Sequence, residues 1–340
     1  MKKSFLWLLA TIMMCGTMMT GLTSCSDSDD NNNDNQKRVA VLLPDASSVA
    51  RWATDKANLE QAMSAYGFNT TFYVAPETAE GASQQVEQIK SAIDAGVKYI
   101  VVTAIDYKKI NESGLLEKYP DVKLVCHDRF ILDNPRVAYL SSADTKDVGR
   151  TQAMFLLNHF HSSGKATMTL EILQGPETDV NAKDYYDGAM ELLKKYIDSR
   201  KLIVKSGKTD YSQVKADSWS VADGKKDMKD RLKSYAAGQC PDMILAATDN
   251  QAQGAIEALT EAGITTMPVI TGQDDTAIAQ ANIKSGKQTM TINKNLKDMA
   301  YNTAMIVNGL ISNSPVQTSQ SISGIPVVYS KITVMTQDSY

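Results

Sequence analysis

The sequence predicts an α/β chain of two similar lobes, each a parallel sheet covered by helices. Three observations lead there. From Arg38 onward, short apolar runs alternate with helical periods, the order that builds parallel sheets with helices on both faces. Near residue 145 the alternation starts again, giving two successive units of similar size. A chain of 340 residues also exceeds what one ordinary core holds.

In order, Val39 to Leu43 is the first strand, followed by a helix whose Leu59, Met63 and Tyr66 share one face. Thr71 to Val74 is a strand, and Ala82 to Ala95 a helix closed by Gly96. Tyr99 to Ile105 is a continuous apolar strand, Tyr107 to Tyr119 its helix, and Leu124 to Cys126 the fourth strand. Val137 to Leu140 follows. The second unit runs from helix Thr145 to His161 through strand Thr167 to Leu173, helix Ala182 to Tyr196 and strand Leu202 to Val204. It continues with helix Asp223 to Ala236, strand Met243 to Ala247, helix Ala252 to Ala262 and strand Pro268 to Thr271.

Strand Gln288 to Ile292, helix Leu296 to Leu310 and the apolar pair Val327-Val328 are surplus to the second lobe. Returning the helix to the first lobe and the tail to the second makes the chain cross three times. The crossings then fall near Ser141 to Asp144, Asn293-Lys294 and Gly324 to Pro326. Lobe one is 38–142 plus 294–325, and lobe two is 143–293 plus 326–340.

The N-terminus reads as a targeting segment. Lys2-Lys3 precede the apolar run Phe5 to Met14, then small residues and Leu22-Thr-Ser-Cys25. That tetrapeptide looks like a bacterial lipobox, so residues 1–24 are a lipoprotein signal peptide and Cys25 carries the lipid. Residues 25–37 follow as a disordered acidic tether with no apolar side chain to bury. The protein is then a cell-envelope lipoprotein, periplasmic or on the outer membrane or cell surface. Of four cysteines, Cys126 and Cys240 remain, in different lobes, which argues against a disulfide between them. With 22% charged residues and a net charge of -4, no basic run offers a nucleic-acid surface. The three histidines, at 127, 159 and 161, complete no zinc pattern.

Function is concentrated where strands end, because ligands of open α/β sheets bind outside the carboxyl ends of strands. Arg51-Trp52 follow the first strand and Asp128-Arg129 the fourth. In the second lobe come Asp179 and Asn181, then Thr248-Asp249-Asn250, then Gln273-Asp274-Asp275, and Lys294 ends the crossing strand. Asp, Asn and Thr at such places also cap the next helix. Arg, Lys and Trp do not, so Arg51, Trp52, Arg129 and Lys294 need another explanation. A buried core position is the plain alternative for Trp52 and Trp219. Guanidinium, carboxylate and amide groups meet vicinal hydroxyls two at a time, and indoles cover the C–H faces of a sugar ring.

Arg51-Trp52, His127-Asp-Arg129, Asp179-Val-Asn-Ala-Lys183, Asp249 with Gly254 to Ala258, Thr271 to Asp274, and Gly286 to Lys294 occur in one order along the chain. In these motifs the sequence resembles the periplasmic D-xylose-binding proteins and their multiple-sugar-binding relatives, the type I periplasmic sugar-binding proteins. The resemblance covers about Arg38 to Val334. It implies two Rossmann-like lobes on a three-segment hinge that close on one monosaccharide, xylose or a related pentose or hexose, and present it to an ABC importer. By the same resemblance the sugar contacts are Arg51, Asp128, Arg129, Asp179, Asn181, Asp274 and Lys294, with Thr248-Asp249 as a further pair and Trp52 and Trp219 as stacking aromatics. Thr248 stands where the family usually has Asn, and His127 where Tyr commonly precedes Asp-Arg. The loop from Lys205 to Ser218 is longer than usual.

No nucleophile elbow, phosphate loop, dinucleotide fingerprint or zinc spacing is present, so a binding protein without cofactor or metal is expected, and a monomer. Delivery to an ABC permease is the first reading. A sensor that presents its loaded form to a membrane receptor is the alternative. A repressor of the same fold would carry a helix-turn-helix where this chain has its signal and tether.

Overall fold

The computed structural model describes residues 37–47, 49–318 and 320–340. The expected signal peptide, Cys25 and the expected acidic tether therefore lie outside the described residues, apart from Lys37. The first lobe opens with β1 (Arg38–Pro44), α1 (Arg51–Ala65), β2 (Asn69–Ala75) and α2 (Ala79–Asp94). It continues with β3 (Tyr99–Val102), α3 (Tyr107–Glu112), β4 (Lys123–His127) and β5 (Val137–Ala143). The second lobe holds α4 (Thr145–Ser162), β6 (Met168–Leu173), α5 (Val180–Asp198), β7 (Leu202–Ile203), α6 (Tyr211–Val214) and α7 (Val221–Leu232). It goes on through β8 (Met243–Ala246), α8 (Asp249–Glu261), β9 (Val269–Ile270), α9 (Ala277–Lys284) and β10 (Thr291–Asn293). The closing elements are α10 (Leu296–Ile311), β11 (Ser321–Ile322), β12 (Ile325–Ser330) and β13 (Thr333–Met335).

The first-lobe sheet has the order β11-β12-β5-β4-β3-β1-β2, parallel except for the β11–β12 hairpin. The second has β7-β6-β8-β9, all parallel. Each is buried on both faces, which is why its strands read as unbroken apolar runs rather than alternating ones. One face of the first sheet packs on α2 and α3 through Ile89, Ile93 and Ile110. The other packs on α1 and α10 through Leu59, Met63, Ala300, Ala304 and Val307. The second lobe repeats the plan, with Leu156, Leu157 and Leu193 over one face and Leu259, Ile256 and Met228 over the other.

The tail corrects the expected domain boundary. Residues 326–330 do not join the second lobe: β12 runs parallel to β5, with Val327 opposite Leu140 and Ser330 opposite Ala143. Only β13 returns, pairing antiparallel with β10. The third crossing thus falls between Ser330 and Thr333, not at Gly324 to Pro326. Ser323 and Gly324, with φ of 49° and 80°, instead make the two-residue turn of the β11–β12 hairpin. A short apolar run carries no local mark of which sheet it will join, so the neighbour decides. The helix expected over Tyr107 to Tyr119 is also split, since Gly114 at φ 60° ends α3 and a 3₁₀ turn covers Leu116–Lys118. α6, α9, β11 and β13 were not anticipated. Among the described residues no helix is long and apolar enough to cross a membrane.

One packing detail positions the site. α4 and α5 meet backbone to backbone: a Cβ on Gly149 would stand 2.0 Å from the Tyr185 carbonyl oxygen, and one on Gly188 2.1 Å from that of Lys146. Tyr185 is held at that contact. Gly149→Ala should destabilise the protein by about 2 kcal/mol or more through overpacking, read as a lower denaturant midpoint. An unchanged midpoint would mean that the two helices separate without cost.

Candidate functional site

The strand carboxyl ends of the two sheets face each other, and the side chains they carry close around one cavity. It has about 300 Å³ free of protein atoms, the solvent at its open mouth included, and is lined by Arg51, Trp52, Asp128, Arg129 and Val49 from the first lobe. Asp179, Tyr185, Trp219, Thr248, Gln273 and Asp274 line it from the second, and Lys294 from the crossing.

Arg51 is the first helical residue of α1. Its Nε and Nη2 grip Asp55 Oδ2 at 2.9 and 2.8 Å, one turn along the helix. That bidentate hold aims the rest of the fork across the cleft, placing Nη1 3.0 Å from Asp274 Oδ1 and Nη2 3.2 Å from Asp128 Oδ1. Lys294 Nζ lies 3.3 Å from Asp128 Oδ1 and 3.2 Å from Asp274 Oδ1, joining the two carboxylates. Behind Asp55 stands His127, fully buried, with Nε2 3.5 Å from Asp55 Oδ1 and Nδ1 2.7 Å from Thr303 Oγ1.

Asp128 leaves β4 at φ 65°, a left-handed turn that swings its side chain out of the sheet. The turn is held by Asp128 N–H donating to Ser141 O at 2.8 Å and by Ser142 Oγ–H donating to Asp128 O at 2.8 Å. Asn181 reaches over from α5 to donate its Nδ2–H to the same Asp128 carbonyl at 3.2 Å. Arg129 donates from Nη1 to Ala104 O at 3.2 Å, and its Nε lies 2.9 Å from Asp179 Oδ2. Its Nη2 meets Glu77 Oε1 at 2.5 Å. The carbons of the Arg51 and Arg129 guanidinium groups lie 4.4 and 4.9 Å from the Trp52 ring centre, so this indole supports the two arginines.

In the second lobe, capping and site roles coincide. Asp179 uses Oδ1 to cap α5 at Asn181 N–H, 3.0 Å away, while Oδ2 accepts Trp219 Nε1–H at 3.0 Å and faces Arg129. Thr248 caps α8 and also lines the cavity. Trp219 is delivered by the long loop containing α6, and its ring lies so close to Gly175 that a Cβ there would be 2.0 Å away. Asn250 donates to the Trp219 carbonyl at 2.9 Å.

Of the residues named from sequence, Arg51, Trp52, Asp128, Arg129, Asp179, Trp219, Thr248, Asp274 and Lys294 come together on the cavity wall. Asn181 and Asp249 do not. Asn181 bridges to the Asp128 backbone, and Asp249 sits behind the wall, accepting from Thr276 N–H, Gln288 Nε2–H and Thr291 Oγ1–H at 2.9, 2.9 and 2.7 Å. Sequence reasoning missed Tyr185, Asp55 and Glu77, and placed Gln273 at a polar strand end without naming it a ligand contact. Asp55 and Tyr185 had a signal, since each lies one helical turn after a named residue, Arg51 and Asn181. Gln273 is buried, and its Oε1 has no hydrogen-bond partner among the described residues.

The electrostatics follow from the pairing. Burial opposes ionisation of Asp128, but Arg51, Lys294 and Arg129 outweigh it and hold the carboxyl well below the usual carboxylate range. Burial likewise opposes the charge on Arg129, which Asp179 and Glu77 restore and strengthen. Asp179 goes the other way: burial raises it, and Arg129 only partly compensates. On the cavity wall three cations, Arg51, Arg129 and Lys294, face three carboxylates, Asp128, Asp179 and Asp274, and Asp55 and Glu77 behind the wall pair with Arg51 and Arg129, so every cation already has its carboxylates. A ligand with net charge would upset that balance in a buried place. A neutral ligand with many hydroxyls would not.

A periplasmic binding protein domain model matches residues 39–314. The chain belongs to that family. It is 31% identical over 280 residues to the multiple sugar-binding periplasmic receptor ChvE of Rhizobium radiobacter, covering 80% of this chain and 77% of that one. It is 27% identical over 270 residues to the D-xylose-binding periplasmic protein of Escherichia coli strain K12, covering 79% and 76%. Among solved structures, an ABC transporter solute-binding protein from Clostridium phytofermentans with bound β-D-glucose superposes with a TM-score of 0.82 at 27% identity, covering 89% of this chain and 95% of that one. Family membership makes the chain an extracytoplasmic binding protein and not an enzyme.

Asp249 supplies a test of the second lobe. Burial, and then the Asp274 charge, push its carboxyl up to about 7 despite the donors around it. Unfolded, it titrates near about 4. The folded state therefore binds more protons between the two values, and stability falls as pH rises through that window. The melting temperature should drop from about pH 5 to about pH 7.5, with a flatter profile in Asp249→Asn. An equally steep profile in the variant would assign the effect to another group.

Proposed function

We propose that this protein is a lipid-anchored receptor for one neutral monosaccharide, xylose or a related pentose or hexose, bound between lobes that close by bending at the three crossings. The observation that carries the reading is the buried cavity whose cations are all already paired with carboxylates, with the Gln273 Oε1 acceptor left for a ligand hydroxyl. Arg51, Asp128, Arg129, Asp179, Gln273, Asp274 and Lys294 would meet ring hydroxyls in pairs, and Trp219 with Tyr185 would cover an apolar ring face. Asn181 and Asp249 act by holding the wall. Two relatives, one a multiple sugar-binding receptor and one a D-xylose-binding protein, support the class of ligand.

Closure requires that the sugar interact better with the closed form than with the open one. Arg129 on the first lobe and Asp179 on the second meet that need, since a sugar lying between them would contact both only in the closed form. The closed form is then offered to an ABC importer. Anchoring through Cys25 rests on the lipobox, and Cys25→Ala should release the protein from membranes and abolish fatty-acid labelling.

The decisive experiment is a thermal-shift panel of xylose, arabinose, ribose, galactose, glucose and fructose. At least one should raise the melting temperature, and no shift with any would overturn the monosaccharide reading. Arg129→Ala should weaken the best of them by about 2 kcal/mol or more in calorimetry, because Asp179 and Glu77 lose a charged partner in a buried place. An unchanged affinity would remove Arg129 from the site.

A further inference from the structure

We infer that Glu77, which stands outside the cavity wall, is a positioning residue that holds Trp52 and Arg129 as one unit on the first lobe. The inference rests on the sugar-binding reading and adds a member to its site. Glu77 lies between β2 and α2, in a loop with little freedom. Thr78 N–H donates to Pro76 O at 2.8 Å, and Thr78 Oγ1 caps α2 by accepting Gly81 N–H at 3.1 Å. The first turn of α2 presses so hard on this loop that a Cβ on Gly81 would stand 1.8 Å from Pro76 O. From that fixed base the Glu77 side chain, 9% exposed, points into the cleft.

Its two oxygens are divided between two site residues. Oε1 lies 2.5 Å from Arg129 Nη2, and Oε2 accepts Trp52 Nε1–H at 3.1 Å. Arg129 therefore has three anchors on its own lobe: Glu77, the Ala104 carbonyl and the Trp52 ring. Among the described residues, Asp179 is its ion-pair partner from the other lobe. When the lobes separate, Asp179 is lost to Arg129 and Glu77 is kept. The guanidinium plane and the indole then stay in the orientation that sugar and Asp179 will meet. Holding a binding group ready lowers the cost of ordering it on association. Without the Glu77 carboxylate, Arg129 can swing about its stem, and a buried indole N–H loses its charged acceptor.

The test has one readout that needs no ligand and one that does. In ¹⁵N-labelled protein, the Trp52 indole N–H signal, identified by its loss in Trp52→Phe, should move upfield in Glu77→Gln while that of Trp219 stays. Affinity for D-glucose and D-xylose, measured by calorimetry, should fall about ten-fold or more in the same variant, as expected for losing a charged hydrogen-bond partner. Glu77→Asp, one methylene shorter, should show both changes to a smaller extent, and serves in its place should Glu77→Gln not fold. Glu87→Gln, at an exposed position of α2, should show neither change. An unmoved Trp52 signal, or parental sugar affinity in Glu77→Gln, would overturn the inference. A parent protein that binds neither sugar would count against the choice of ligand, and the indole signal would still judge Glu77.

Discussion

The Arg51 guanidinium is buried with its fork shared among Asp55, Asp128 and Asp274. Taking a cation out of water costs several kcal/mol even after relaxation, and that cost is offset only by close, well-aligned carboxylates. Asp55 supplies one partner within the same helix. Asp128 supplies the second from the end of β4, and Asp274 the third from the opposite lobe. Both Asp128 at φ 65° and Asp274 at φ 102° adopt backbone conformations that non-glycine residues avoid, so local strain is accepted to bring carboxylates to the guanidinium. Lys294, at the crossing, joins the same two aspartates. The geometry between the lobes is therefore set largely by how these charges satisfy one another.

That arrangement also explains why cap residues and site residues need not compete. A carboxylate has two oxygens, and Asp179 spends one on the first turn of α5 and the other on Arg129 and Trp219. Capping fixes the side chain at the helix start, where the strand end has already placed it beside the cleft. The helix terminus and the ligand site are thus one piece of geometry. Thr248 repeats the pattern with a hydroxyl.

Behind the cavity wall lies a second layer without which the first would be loose. Asp55 with His127 stands behind Arg51, Glu77 behind Arg129 and Trp52, and Asp249 behind the loop that carries Asp274. Trp52 changes meaning in this setting. The resemblance to sugar-binding relatives casts it as a platform for the ligand, whereas its ring here bears two guanidinium groups. Trp219, packed on Gly175 and held by Asp179 and Asn250, lines the cavity from the opposite lobe and bears no guanidinium.

The alternation of apolar runs and helical periods determined the α/β class and nearly every major element, because strands buried on both faces leave a continuous signal in the chain. The strand ends were legible for a similar reason: Arg51, Arg129 and Lys294 occupy places where capping, the ordinary local explanation, does not apply to them. Other features have no local mark. Val327 could have joined either sheet, and only its place beside Leu140 decided it. Glu77 reads as an ordinary acidic residue before a helix, and Gln273 as a polar residue between Gly272 and Asp274. What made one a support for Arg129 and the other a buried acceptor on the cavity wall was the approach of segments far apart in sequence. Periodicity and capping act within a few residues and can be read from the chain. Pairing of buried charges joins segments far apart in the chain, within the first lobe for Glu77 and Arg129 and across the cleft for Arg51 and Asp274, so it exists only once the chain has folded.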